Sequence, residues 1–565
     1  MIADQSGATS REPRADQSAN PRTKTARDPA AARATPNVLM VFPKFNPNSF
    51  WNLQELCDIR GARCPAPPLG LITVAALLPK TWNIRLVNRN TEELTERDLA
   101  WADMVMTGGM LPQQADTLAL ISLCHTHGKP VVVGGPDATS SPELYSTADF
   151  RVLGEAEGVI EQFIAAWNDG DEGGTFEAPK FQVDVSKTPI PRFDLLKRED
   201  YVYIGVQFSR GCPFNCEFCD IIELYGRVPR TKTNAQMLAE LDRLYSIGHR
   251  GHVDFVDDNL IGNKKALKLF LPELIRWQKE HKYPFQFSTE ASMNLADDTQ
   301  LLQMLREANF FAIFVGIESP DTDTLISTQK KQNTRRSLAE SVHRIYGAGM
   351  FVLAGFIVGF DSEKGSVAEG MIDCIEATSI PVCMIGLLTA LPNTQLTRRL
   401  QKEGRLLPIT QIDSGDQCTA GLNFTTLRAK RDILDDFRTV LKAVYSPEAY
   451  FARVRAVGRA LDCPNHVFIS SFGEMWRDLA VVARLAWRMT VTRPELRRHF
   501  WRTIADCARH NIGAMEHVIG LMVFYLHLGK FASFLVADLD RQIARIDAEA
   551  AQGAVDPAAL AVAAE

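Results

Sequence analysis

From Asn37 onward the chain alternates short apolar runs with amphipathic stretches. Val38–Phe42, Ile84–Val87, Met104–Thr107, Val131–Val133 and Arg151–Leu153 read as strands, with helical spacing such as Gln113–His127 between them. This alternation predicts a doubly wound parallel sheet. Three of the runs end in glycine turns, Gly108-Gly109, Gly134-Gly135-Pro136 and Gly154. The carboxyl edge of an open α/β sheet is where ligands bind, so this edge is a ligand platform. The polar, Gly-rich residues 168–174 interrupt the pattern. We therefore place a sheet domain at 37–170 and a linker at 171–200.

The alternation then resumes with a longer period. Runs at Ile204–Ser209, Val253–Val256, Phe285–Thr289, Ala312–Ile317, Val352–Val358 and Met384–Leu388 are separated by helical stretches such as Met237–Ile247 and Ser337–Ala348. Six strands imply an incomplete (β/α)6 barrel over 201–425, whose functional residues come from the carboxyl ends of the strands. Those ends carry Cys212, Asp257-Asp258-Asn259, Glu290 and Glu318. Beyond Thr426 the β signals stop, and helical spacing runs through Ile433–Val444, Met475–Trp487, Pro494–His510 and His517–Val536. This predicts an all-helical domain at 426–550. The fold class is α/β: a Rossmann-like domain, a partial barrel and a helical carboxyl-terminal domain.

Composition sharpens the picture at the ends. Residues 1–36 are rich in Ala, Arg, Ser, Thr and Pro, and Ile2 is their one large aliphatic residue, so they are expected to form a disordered arm. The Ala-rich residues 551–565 are expected to fray. A net charge of −6 over 565 residues argues against a nucleic-acid partner. Eleven cysteines without a secretory leader point to a reducing, cytoplasmic compartment rather than a disulfide scaffold. No uninterrupted apolar run reaches the length of a spanning helix, so the protein is expected to be soluble or peripheral.

The chemistry is carried by Arg210-Gly-Cys212-Pro-Phe-Asn-Cys216-Glu-Phe-Cys219-Asp220, directly after the first barrel strand. Three thiolates on one loop can converge on a metal, and three ligands leave one iron of a cluster open to substrate. Structural zinc would need a fourth ligand, for which His249 or His252 is the alternative. The loop resembles that of the radical S-adenosylmethionine superfamily, including the aromatic Phe218 before the last cysteine. The resemblance implies a [4Fe–4S] cluster on Cys212, Cys216 and Cys219, the catalytic and metal-binding residues, with S-adenosylmethionine chelated at the open iron and cleaved to a 5′-deoxyadenosyl radical. By position it also implies that Phe218, Asp257-Asp258-Asn259, Glu290, Gly316, Glu318 and Ser319 contact S-adenosylmethionine.

The amino-terminal segments Pro67-Pro68-Leu69-Gly70-Leu71, Val133-Gly134-Gly135-Pro136 and Leu153-Gly154-Glu155-Ala156-Glu157-Gly158 resemble the cobalamin-binding half of B12-dependent radical enzymes. That implies cobalamin contacts at Pro68, Gly70, Thr107, Gly108, Gly134, Gly135, Gly154 and Glu155. The Asp-x-His-x-x-Gly signature is absent, so no histidine is expected under cobalt. His125 and His127 read as helix carboxyl-terminal residues. Cys57, Cys64 and Cys124 raise the alternative of a second cluster, as in radical methylthiotransferases. Val41-Phe-Pro-Lys-Phe-Asn-Pro-Asn-Ser-Phe-Trp51 and Ile190-Pro-Arg-Phe-Asp194 resemble the bacterial hopanoid C-2 methylases. The resemblance implies methyl transfer through cobalamin to an unactivated carbon of a lipid or other small molecule, with a flavodoxin or ferredoxin as electron donor. A porphyrin cyclase or methyltransferase is the rival activity. The apolar run Ile519–Leu526, beside Lys530, reads either as a core helix or as a peripheral membrane contact.

Overall fold

The computed structural model describes residues 33–334, 336–408, 418–419, 421–463 and 472–555. Most of the expected arm and tail, 1–32 and 556–565, lies outside the described residues. Within the arm's expected range, Arg33 already bonds the Trp167 carbonyl and indole nitrogen.

Six parallel strands form the first sheet: β1 (Asn37–Phe42), β2 (Asn83–Asn88), β3 (Met104–Gly108), β4 (Val131–Gly134), β5 (Phe150–Leu153) and β6 (Gly174–Glu177), in the order β2-β1-β3-β4-β5-β6. Both faces are covered, since Val38 and Met40 enter one core while Leu39 and Val41 enter another. This explains runs that are wholly apolar rather than alternating. β6 corrects the linker expected from residue 171. It pairs in register with β5, but its four residues alternate between half-buried and exposed at the sheet edge, which leaves no apolar run to detect.

The second sheet contains β7 (Ile204–Val206), β10 (Gly251–Phe255), β11 (Phe285–Glu290), β12 (Phe310–Glu318), β13 (Phe351–Val358) and β14 (Val382–Leu387), all parallel and in sequence order. Between β7 and β10 a small antiparallel pair, β8 (Ser209–Arg210) and β9 (Arg230–Thr231), frames the cysteine loop. Phe255 packs outward on Phe270 of the helix Lys264–Glu280, so its neighbours His252 and Asp254 point into the barrel.

A six-stranded barrel has an open seam. Here α1 (Gln54–Arg60) and the helices α2 (Lys430–Val444), α3 (Pro447–Ala460), α4 (Phe472–Trp487), α5 (Arg497–His510) and α6 (Met515–Val555) pack together with the barrel. Phe50, Leu53, Leu56 and Ile59 share one continuous core with the barrel and these helices, not with the first sheet. The segment around α1 thus belongs to the barrel, although its sequence position suggested the sheet domain. For the run in α6, burial decides between the two readings. The helix is 41 residues long and, over part of it, apolar enough to cross a membrane. Yet Val518, Leu521 and Met522 are fully buried, the Leu521 carbonyl accepts from Tyr450, and His527 bonds the Phe50 carbonyl. Ile519–Leu526 is a core segment rather than a membrane-facing one.

Candidate functional site

The carboxyl edges of the two sheets face each other. Glu155 and Glu157, just after β5, meet Arg210 and Arg230 on the β8–β9 pair. Asn393, in the loop after β14, donates to the Ser140 carbonyl beyond β4. Between these contacts lie the glycine turns of one sheet and the cysteine loop of the other.

The cysteine loop is braced from several directions. Gly211 turns it at φ +97°, where a Cβ would stand 2.8 Å from the Gly226 carbonyl; only glycine adopts this readily. Asn215, Gln329 and Gln395 form a ring of amide hydrogen bonds, and Glu217 pairs with Arg399. Asn259 Nδ2 reaches Cys212 Sγ at 3.7 Å, and Gln332 Nε2 reaches Cys216 Sγ at 3.7 Å. Burial pushes the Cys219 thiol well above its ordinary range, with Asp220 and Cys216 adding to it, and burial also raises Cys212. As they stand, no three metal-ligating groups among the described residues form a closed metal cluster. The donor set nonetheless suits iron: three thiols on one braced loop, with Cys216 close enough to add to the upward shift of both Cys212 and Cys219, and amide donors aimed at two sulfurs. Binding iron would draw the thiols together and displace their protons. The zinc alternative fails, because His249 bonds the His252 carbonyl and His252 bonds Ser288 inside the barrel.

Around the loop the expected ligand residues divide by what their polar atoms already do. Both oxygens of Asp257 are occupied by the Phe208 and Ser209 backbone nitrogens and the Ser209 hydroxyl, so it positions the strand before the loop instead of touching a ligand. Asp258 accepts from the Gly211 nitrogen and is raised to about 7 by burial. Asn259 links Cys212 to Ser292. Glu318 sits at a bulge in β12 with φ +67° and pairs with Lys330 at 2.7 Å. A non-glycine residue held there is a strained conformation typical of a working site. Gly316 makes room for the pair, since a Cβ would lie 2.3 Å from the Glu318 carboxylate. Ser319 caps the following turn through the Asp321 nitrogen, and Phe218 packs on Phe360.

Lys330 and Gln332 were not anticipated. They come from a polar loop without periodic pattern, and only the fold brings them to the cysteines. Lys330 lies over the Phe218 ring; burial works against its charge, but Glu318, Cys216 and Cys219 hold its pKa above the ordinary value. Glu290 stands in the concave barrel mouth, reached by solvent yet walled by protein. Burial, then Asp254, Asp258 and Glu318, push its carboxyl up to about 8. One cation beside the thiols and several carboxylates across the mouth fit an amino acid-like ligand that also carries positive charge, as S-adenosylmethionine does. Below the mouth, Ser288 Oγ donates to Asp254 and accepts from His252 Nε2. Burial lowers His252 to about 3, so this imidazole is neutral and carries its proton on Nε2.

On the opposite sheet, Gly108 pairs with Gly134, and Gly134 with Val152. A Cβ on Gly108 would lie 2.5 Å from the Gly134 carbonyl, and one on Gly134 would lie 2.8 Å from the Val152 carbonyl. Gly135 and Gly154 have φ of +89° and +79°. The result is a flat, side-chain-free edge. Gly70, second residue of the helix Leu69–Leu77 that follows Pro68, borders open space. Two residues expected to face cobalamin are otherwise engaged. Thr107 donates to the Val41 carbonyl, and Glu155 is buried between Arg210 and Arg230. His125 pairs with Asp149 and His127 bonds the Leu123 carbonyl, as helix-end residues do. Cys124 packs in the core beneath β3 and β4, away from Cys57, which is followed by Cys64 near Tyr201. The second-cluster alternative loses its ligand set.

The sequence pattern of the radical S-adenosylmethionine superfamily matches residues 206–375, and that of a domain of unknown function matches 394–540. An uncharacterised methyltransferase of Synechocystis sp. is 42% identical over 90% of this chain and 94% of its own length. The hopanoid C-2 methylase of Rhodopseudomonas palustris is 34% identical over 87% of this chain and 92% of its own. The chain belongs to the radical S-adenosylmethionine methyltransferases. Its fold is shared by the cobalamin-dependent S-adenosylmethionine radical enzyme OxsB, solved with aqua-cobalamin and S-adenosylmethionine bound. That match has a TM-score of 0.56 and 16% identity, and covers 90% of this chain and 82% of OxsB. For this methyltransferase, the likeness supports an α/β architecture of sheet domain, partial barrel and helical carboxyl terminus.

Proposed function

We propose that this methyltransferase is a cobalamin-dependent radical C-methylase acting on a hopanoid, at C-2. The arrangement that carries the reading is the pair of facing edges, thiols on one and bare glycine backbone on the other. Bound there, the cluster with S-adenosylmethionine would supply a hydrogen-abstracting radical, and cobalamin a transferable methyl group, given an electron donor such as a flavodoxin or ferredoxin. Cys212, Cys216 and Cys219 would hold the cluster. Lys330 is suited to the carboxylate of S-adenosylmethionine and Glu290 to its positive charge. The glycine edge admits a planar macrocycle that side chains would exclude. Glu155 and Glu157, gripping Arg210 and Arg230, keep the two edges in register, and such alignment is where the protein contributes most to a reaction run by cofactors. The substrate assignment rests on the hopanoid C-2 methylase likeness.

The test is mass spectrometry of hopanoids from a producing host that lacks this gene, complemented by wild type or by C212A. We expect C-2 methylated hopanoids only with the wild-type gene. Unchanged hopanoid methylation in the deletion strain would remove the substrate assignment. If the purified protein still forms 5′-deoxyadenosine, the methyltransferase class stands with a different substrate.

A further inference from the structure

The carboxyl-terminal helices present an apolar and basic face that the catalytic reading does not use. In α4, Leu479, Val482 and Trp487 are 52%, 39% and 63% exposed, and Val491 on the following turn is 51% exposed. Other side chains of the helix are anchored. Leu485 and Met489 are fully buried, Arg484 bonds the Ile59 carbonyl, and Arg488 pairs with Glu55 of α1. The helix is therefore held in place, and its exposed apolar residues are not the product of loose placement. In α5, Arg498, Trp501, Arg502, Ala505 and Arg509 are all exposed. Their spacing of i, i+3, i+4, i+7 and i+11 puts them on one stripe, with Phe500, Thr503 and Cys507 buried behind.

Charge selects the occupant. The α5 stripe carries three arginines and no acidic residue, in a chain whose net charge is −6. Exposed tryptophans beside aliphatic side chains, bordered by arginine, match an acyl–headgroup boundary, where the indole sits at the interface and the guanidinium meets anionic lipid. We infer that the α5 stripe, with the exposed Trp487 end of α4, rests on an anionic phospholipid surface. The buried α6 core is not the anchor. Because α4 is tied to α1, membrane contact here would hold α1 and the barrel it packs on near the bilayer. The inference does not depend on which substrate the enzyme methylates.

Co-sedimentation of the full-length protein with vesicles of phosphatidylcholine alone, or of phosphatidylcholine with phosphatidylglycerol, tests it. We expect binding to the anionic vesicles that weakens as salt is added. W487A/W501A should weaken binding to both vesicle types. R498Q/R502Q/R509Q should cost roughly a hundredfold on anionic vesicles, and little on neutral ones, from about 1 kcal/mol per arginine at the surface. L269A, at an exposed leucine on the barrel's outer helix, serves as a control and should change nothing. Circular dichroism establishes that each variant is folded. Wild-type protein that stays in the supernatant with both vesicle types, or folded variants that bind as well as wild type, would overturn the inference. A dimer by light scattering without lipid, lost in W487A/W501A, would overturn it in favour of a second copy of the chain on this face.

Discussion

Glu290 shows how a single residue couples the site to pH. Its carboxyl is pushed from 4.5 up to about 8, first by burial and then by Asp254, Asp258 and Glu318. A folded-state value above the unfolded one means that the native protein binds the extra proton between those limits. Its contribution to stability is present at low pH and is lost as pH rises through about 8. A cationic ligand reverses the preference, because it favours the carboxylate. We expect the affinity for S-adenosylmethionine to increase from about pH 7 to about pH 9 more steeply in wild type than in E290Q, by isothermal titration calorimetry. The ligand's own ammonium titrates identically in both, so the difference isolates Glu290; equal slopes would remove it from the binding site. At this scale the sequence was most legible where the chemistry is contiguous, as in the cysteine loop. It was least legible where one side chain's direction decides its role. Asp257 and Asp258 are neighbours, yet Asp257 holds Phe208 and Ser209 while Asp258 meets Gly211.

Among the elements, the pairing of the loop after β5 with the β8–β9 pair carries the most consequence. Arg210 directly precedes the cysteine loop, and its guanidinium is buried between Glu155 and Glu157. Burial works to raise the Glu157 carboxyl, but Arg210 outweighs it and holds the group below its ordinary range. Removing one partner of a buried pair leaves the others uncompensated, at a cost of about 3 kcal/mol. We expect R210A to lose stability of that order in urea unfolding. Glu157→Gln should be milder in stability, while raising the ratio of 5′-deoxyadenosine to methylated product as the two edges lose register. An unchanged ratio in folded E157Q protein would reduce the pair to a structural tie. Leu153-Gly154-Glu155-Ala156-Glu157-Gly158 stood out in the sequence as a motif, but its partners lie some 55 residues onward. Only the fold shows that its acids meet arginines while its glycine stays with the ligand edge. The strands of the first sheet were legible as apolar runs because both of its faces are packed; β6, at the sheet edge, was not.

On the scale of the whole molecule, chain order and cooperative unit part company. Sequence suggested three successive bodies, whereas one continuous core joins the barrel, α1 and the carboxyl-terminal helices. The first sheet keeps two cores of its own, one on each face. The barrel's packing partners come from both ends of the chain: α1 from before it and α6 from after it, packed against each other with Lys530 paired to Glu55. Apolar periodicity cannot announce this, because a helix that packs on a distant barrel looks the same as one that packs on its own sheet. Elements that share a core open together, and protection from hydrogen exchange follows the cooperative unit rather than sequence proximity. We therefore expect amides of α1 to exchange, as denaturant is raised, with those of β10–β13 and α6. They should not follow β1 and β3, their neighbours in sequence. Leu521→Ala, which empties a fully buried position in α6 at a cost of about 2–5 kcal/mol, should raise exchange in α1 and the barrel while leaving β3 and β4 unchanged. Exchange of α1 in step with the first sheet would show that its contacts with the barrel are incidental.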